Sequence, residues 1–304
     1  MSDHPVGAQP LAEMHPQHRF FVGIDSDGCA FDTMETKHKE CFCPTTIKYW
    51  DLQPVSKYAR EAWEFVNLYS KWRGLNRWPA LLRVVDLLRE RPEVKARGVK
   101  ITPASSVRAF VASGKALSND GLKAYMAEHP DSELDRAMVW TKGINASVAD
   151  LVRGVPPFPY LRESLEILKD RADVVVVSAT PGEALVREWE EHDIARYTRV
   201  IAGQEMGTKK QHLGLAAKGK YPSDHILMIG DALGDMDAAR ANGALFFPIN
   251  PGHEEASWGR FHREGLGKFF AGEFAGTYEA SLVAEFERLL PEHPPWNRPM
   301  TPAS

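Results

Sequence analysis

The chain reads as an α/β protein: a doubly wound parallel sheet with an α-helical domain inserted after the first strand. Three observations predict this. Five short apolar runs flanked by Gly, Asp or Ser have the composition of strands covered on both faces. Helical patterns separate the last four runs. Residues 34–153, between the first and second runs, carry helical periodicity and almost no strand signal.

Residues 1–19 are polar and rich in Pro and His, and are expected to form a disordered leader. They lack the apolar core of a signal peptide, so export by that route is not expected. The first strand is Phe20–Ile24. Within the insert, Tyr58, Ala62, Phe65 and Tyr69 share one helix face, ended by Gly74. Pro79 opens a helix through Leu88, Thr102-Pro103 opens a third that stops at Gly114, and Asp131 caps a fourth carrying Leu134 and Met138. No internal repeat is visible.

After the VPPFP turn, Leu161, Leu165 and Leu168 recur at helical spacing, and the second strand follows at Val174–Val177. Thr180-Pro181-Gly182-Glu183 reads as a capping box, with Leu185 and Trp189 on one face behind it. Val200–Ala202, Ile226–Ile229 and Leu245–Phe247 are the remaining strands, and Lys209–Lys218 and Gly234–Asn242 are helices between them. Residues 250–304 form a C-terminal extension with one amphipathic helix near Tyr278–Leu290 and an irregular close. The α/β core is thus residues 20–33 and 154–304, and the helical domain is 34–153.

Composition narrows the function classes. In 304 residues, 43% hydrophobic and 26% charged content is ordinary for a globular protein with a real core. A net charge of -4 without a basic stripe argues against nucleic acid. No run approaches the ~20 apolar residues that span a bilayer. The three cysteines, Cys29, Cys41 and Cys43, do not make a disulfide framework, which fits a reducing cytoplasm. His38, Cys41 and Cys43 lack the fourth ligand of a structural zinc site, so the last two are expected as half-buried thiols at a helix end.

Candidate chemistry gathers at strand ends. Asp25 and Asp27 lie just past the carboxyl end of the first strand, where open α/β sheets place ligands, and Gly28 allows a sharp turn. Two carboxylates this close should have split pKa values, one ionised to attack and one protonated to give a proton. An EF-hand loop also begins D-x-D, but Cys29 and Ala30 occupy its fifth and glycine positions. Ser178 and Ala179 end the second strand before a helix start, a phosphate cradle of hydroxyl and free amides. Lys209 sits at a helix N-terminus, where a cation opposes the macrodipole and suits anion binding better than stability. The adjacent Lys210 competes for that role, and Lys209 is preferred because Leu213 then packs the sheet. Finally, Gly230-Asp231 and Asp235 place two acids beyond a strand, a set able to hold Mg²⁺.

In this order the four features resemble the motifs of the haloacid dehalogenase-like superfamily: Asp25-Ser26-Asp27-Gly28, Ser178, Lys209, and Gly230-Asp231 with Asp235. The resemblance covers residues 20–33 and roughly 155–250. It implies a Rossmann-like core, a helical cap after the first motif, and a phosphatase acting on a small phosphorylated metabolite. Asp25 would form an aspartyl-phosphate and Asp27 would act as general acid and base. Mg²⁺ would be held by Asp25, the Asp27 carbonyl and Asp231, with Asp235 orienting its shell. Ser178, Ala179 and Lys209 would bind the phosphate. One departure is that Lys37 and His38 stand where related enzymes often carry a His.

The same resemblance leaves a phosphomutase open. A phosphonate hydrolase using Lys37 or Lys39 is disfavoured by the intact Asp27, and a non-catalytic binding scaffold by the complete motif set. Residues 67–79, with Tyr69, Trp72, Arg73, Asn76, Arg77 and Trp78, are candidates for reading the leaving group.

Overall fold

The computed structural model describes residues 7–297. Five parallel strands form its sheet: β1 (Phe20–Ile24), β2 (Ala172–Val177), β3 (Val200–Ala202), β4 (Ile226–Gly230) and β5 (Leu245–Pro248), in the order β3-β2-β1-β4-β5. The doubly wound α/β sheet expected from the apolar runs is therefore present. Every residue of β1, β2, β4 and β5 is buried, which is why these strands read as continuous apolar runs. Alternate side chains serve opposite faces. Phe20, Val22 and Ile24 pack with Leu161, Leu165, Trp258 and Phe261, whereas Phe21, Val175 and Met228 pack with Leu213, Met236 and Phe286.

The chain divides into two compact units. One comprises the described residues up to Met34 together with Gly154–Leu290, and the other comprises Glu35–Arg153 with the described residues from Pro291 onward. Among the described residues no helix is long and apolar enough to cross a membrane.

The first unit corrects the expectation of a disordered leader for residues 7–19; residues 1–6 lie outside the described residues. Gln9–Ala12 is a short helix, and Ala8, Leu11 and Met14 are buried against the sheet's second face. Lys220 Nζ donates to the carbonyls of Leu11, Ala12 and Met14 at 3.1, 2.9 and 2.8 Å. Asp173, at the start of β2, accepts the amides of Gln17 and His18 at 2.8 and 2.9 Å. Three apolar side chains in so short a segment make no periodic signal, and both polar anchors lie more than 150 residues away in sequence.

In the second unit, helices Ser56–Asn67, Arg77–Glu90, Ser105–Ala112 and Ser132–Leu151 lie near the four expected places, but the first ends at Asn67, before Tyr69 and Gly74, and the third starts at Ser105, after Thr102-Pro103. Their starts follow capping chemistry. Asn76 Oδ1 accepts the Trp78 amide, so the second helix begins before Pro79, and Asp131 accepts the amides of Glu133 and Leu134. Cys43–Tyr49 and Asn119–Glu128 are further helices that periodicity alone did not signal. Trp63, Trp78 and Trp140 fill the core, with Trp140 Nε1 donating to Thr46 Oγ1 at 3.0 Å.

Two expectations are corrected here. Cys41 and Cys43 are fully buried, not half-buried, and Trp63 Nε1 donates to His38 Nδ1 at 3.1 Å, which turns that imidazole to packing. The stretch from Pro291, expected to belong to the α/β core, lies with the helical unit instead. Lys71 pairs with Glu292 at 2.6 Å, and Trp296 packs edge-on to Phe65 beneath the Arg91 guanidinium. Residues 298–304 of the expected irregular close lie outside the described residues.

Asp173 generates a prediction. Its carboxylate also accepts the Tyr221 hydroxyl at 2.8 Å and pairs with Arg199 at 2.5 Å. Burial alone would raise its pKa, but the His18 and Gln17 amides, Tyr221 and Arg199 outweigh burial and lower it. Asp173→Asn should cost about 2–3 kcal/mol in urea unfolding at pH 7, the scale of lost charge-assisted bonds. A depressed folded pKa stabilises above the unfolded value and is lost as pH falls through the folded one. The gap between wild type and variant should therefore be full at neutral pH and close below about pH 4. A gap that persists unchanged into acid would contradict this.

Candidate active site

The sheet order places the site. The chain leaves β1 for β2 on one side and later returns to β4 on the other, so β1 and β4 flank the switch point where open sheets hold ligands. Asp25 continues the ladder, its amide donating to Ile229 O at 3.0 Å. The chain then turns. Ser26 O accepts the amides of Cys29, Ala30 and Phe31 at 3.3, 2.8 and 3.1 Å, and Gly28 takes φ +77°, a left-handed conformation natural to glycine.

Beside it, β4 ends at Gly230, followed by Asp231 and the helix Leu233–Ala241. A Cβ at Gly230 would lie 2.4 Å from Cβ and Cγ of Asp235, so the glycine is what admits the Asp235 carboxyl. Asp235 Oδ2 accepts the amides of Asp231 and Ala232 at 3.2 and 3.0 Å, closing the first turn of the helix from within.

Lys209 joins the two strand ends. Its ammonium lies 2.7 Å from Asp25 Oδ2 and 2.6 Å from Asp235 Oδ1. Lys210 is exposed and engages Asn242 only through its carbonyl, so the structure brings Lys209 to the cluster and not its neighbour. Leu213 is buried on the sheet as the spacing required. Burial drives the Asp25 pKa well above the ordinary carboxylate range; Lys209 opposes this and the nearby Asp235 and Asp231 reinforce it. Asp235 is raised by burial in the same way. Burial would lower the Lys209 pKa, but Asp235, Asp25 and Asp231 together raise it, so the amine stays charged.

Asp25, Asp231 and Asp235 offer carboxylate oxygens within 4.8 Å of one another, and all three residues are buried. Three buried carboxylates face one ammonium, an excess of negative charge that is costly away from water. A hard divalent cation with oxygen ligands, such as Mg²⁺, fits that donor set and that charge. Among the described residues no other His, Cys, Asp and Glu group of this kind occurs. The Asp27 side chain is not in the group.

Asp27 is held elsewhere. The Thr33 hydroxyl donates to its Oδ1, and Thr180 Oγ1 donates to its Oδ2 at 2.6 Å. Hydroxyls both donate and accept, so Asp27 can carry or release a proton without losing either partner. Thr180 is a site residue that sequence reading missed by taking it for a helix cap. The helix begins later, at Gly182 (Gly182–Glu191), and Glu205 Oε2 accepts the Gly182 amide at 3.0 Å. Thr33, the last residue of the core segment 20–33, has no local sequence signal for this contact. Ser178 is buried at the end of β2, its Oγ accepting the Thr180 amide at 3.2 Å. The Ala179 amide has no acceptor among the described residues, which leaves a donor open beside the Ser178 hydroxyl.

The 67–79 segment is largely occupied within its own unit. Trp78 is in the core, Asn76 caps a helix, and buried Arg73 donates to Leu68 O at 3.0 Å. Arg77 Nη1 donates to Thr141 Oγ1 and Asn145 Oδ1, both at 2.8 Å. Lys39 is clasped by Glu35 and Tyr69, which hold its pKa above the ordinary lysine value despite partial burial. A lysine amine used as a nucleophile, as the phosphonate-hydrolase alternative would require, needs the opposite shift.

The metal fit is testable without turnover. Mg²⁺ at about a hundred times its Kd should add about 2.7 kcal/mol, raising the unfolding temperature by several degrees. Asp231→Ala should lose most of that shift. An equal shift in the variant would place the ion elsewhere.

No protein-family model matches the chain, and no curated protein matches it. Solved structures do. A haloacid dehalogenase-like family hydrolase from Streptococcus pneumoniae aligns at 15% identity over 81% of this chain and 91% of its own, with a TM-score of 0.42. A haloacid dehalogenase-superfamily hydrolase of subfamily IA from Geobacter sulfurreducens aligns at 14% over 76% and 88%, with a TM-score of 0.39. CbbY from Rhodobacter sphaeroides, crystallised with phosphate, aligns at 18% over 88% and 100%, with a TM-score of 0.43. All three TM-scores are below 0.5, so what the site can do rests on its own residues.

Proposed function

We propose that the chain is a divalent-metal-dependent phosphoric monoester hydrolase of the haloacid dehalogenase-like kind, acting on a small phosphate ester. The observation that carries this is the buried group of Asp25, Asp231 and Asp235 bridged by Lys209, with Asp27 two residues from Asp25 and held by two hydroxyls. Asp25 and Asp231, with the Asp27 carbonyl, would hold Mg²⁺, and Asp235 would orient that shell. Bound there, the ion would screen the carboxylates from the incoming phosphate.

The chain's own residues supply the rest. Asp25 attacks phosphorus with a carboxylate oxygen, and the bond from phosphorus to the leaving oxygen breaks in line. Asp27 gives its proton to that oxygen. In the second half, Asp27 takes a proton from water, whose oxygen bonds to phosphorus as the bond to Asp25 breaks. Lys209, Ser178 and the Ala179 amide steady the oxygens that are not transferred, since phosphoryl transfer depends chiefly on positioning and charge.

Asp25→Asn should lose on the order of 10⁴-fold or more in kcat while keeping its unfolding temperature. A folded variant with near-wild-type phosphate release would remove the nucleophile from this scheme. Asp27→Asn should spare aryl phosphates relative to alkyl ones, because a phenolate leaves without a proton and an alkoxide does not. Equal losses on both substrates would take the first proton transfer away from Asp27.

A further inference from the structure

Ser26 lies between the two aspartates and is completely buried, yet its hydroxyl does not serve the carboxylate cluster. It donates to Glu188 Oε2 at 3.1 Å and accepts the indole N–H of Trp189 at 3.0 Å. Both partners lie on the helix Gly182–Glu191, which leads directly out of the Ser178–Thr180 segment. Backbone atoms of the same serine set the loop: its amide donates to Asp25 Oδ1 at 2.8 Å, and its carbonyl accepts three amides. Trp189 also meets Phe31, at the far side of that turn, edge to face at 5.8 Å.

We infer that the Ser26–Glu188–Trp189 contact is a positioning device that fixes the aspartate loop relative to the Ser178–Thr180 cradle. The helix is pinned to the loop at two points. Thr180, just before its start, holds the Asp27 carboxylate, and Glu188 and Trp189, two turns on, hold the residue between the aspartates. A nucleophile on one strand end and phosphate donors on the next must keep their spacing to a fraction of an ångström, because misplacement by about 1 Å can cost 10²-fold in rate. Glu188 reaches the aspartate loop through the Ser26 hydroxyl that its Oε2 accepts.

This rests on the phosphatase reading, and the test separates the two. Wild type, Glu188→Ala, Glu188→Gln and Ser26→Ala are assayed for kcat and KM on an aryl phosphate with Mg²⁺, and their unfolding temperatures are measured. Glu188→Ala and Ser26→Ala should lower kcat about 10- to 100-fold with KM within about twofold, the signature of misplaced rather than missing groups. Glu188→Gln keeps an acceptor oxygen for the Ser26 hydroxyl and should restore most of kcat. An active wild type whose Glu188→Ala variant keeps full kcat, or whose Glu188→Gln variant is as impaired as Glu188→Ala, overturns the positioning role alone. An inactive wild type overturns the phosphatase reading and this role with it.

Discussion

The ammonium of Lys209 between Asp25 and Asp235 is the contact on which the rest of the site depends. It lies 2.7 and 2.6 Å from two carboxylates, one just past β1 and one in the first turn of the helix after β4. Away from water, like charges at such range repel strongly, and a single unpaired carboxylate is expensive. One cation offsets part of the cost of burying two acids side by side, whose pKa values burial still raises. A third buried acid, Asp231, offers a carboxylate oxygen within 4.8 Å of theirs, a donor set that a hard divalent cation fits. The dianionic end of a phosphate ester would add negative charge to this group, which is why the proposed hydrolysis includes a divalent cation.

Backbone geometry makes this concentration of charge possible. Gly230 lets Asp235 lie against the strand end, and the amides of Asp231 and Ala232 bind its carboxylate in place. Gly28 turns the chain so that Ser26 O gathers three amides, leaving Asp25 and Asp27 to project from a closed loop. The two aspartates meet different surroundings despite their spacing of two residues. Asp25 is buried among charges, whereas Asp27 is held by neutral hydroxyls of Thr33 and Thr180. The proposed mechanism uses that difference, with Asp25 attacking and Asp27 carrying a proton.

Much of this was legible in the sequence because its signals are local. Buried parallel strands announce themselves as apolar runs, and Asp25, Ser178, Lys209 and Asp231 stand within a few residues of helix or strand ends. What escaped depends on partners far apart in the chain. The segment before Phe20 looked disordered because its anchors are Asp173 and Lys220. Thr180 looked like a helix cap because its true acceptor, Asp27, lies 153 residues earlier. Trp296 gave no sign of joining the helical unit, since its contacts with Phe65 and Arg91 follow no periodic pattern. Ser26 carried no signal at all, for its hydroxyl points to a helix more than 160 residues onward.

The proposed hydrolysis requires Asp25 to bond covalently to phosphorus during turnover. Rapid acid quench of the enzyme with Mg²⁺ and an aryl phosphate, followed by mass spectrometry of the peptide containing Asp25, tests it most directly. Asp27→Asn, whose second step lacks its base, should give a burst of phenol approaching one equivalent per chain, with one phosphoryl group on Asp25. Turnover by the wild type, with no burst and an unmodified Asp25 in the variant, would contradict it.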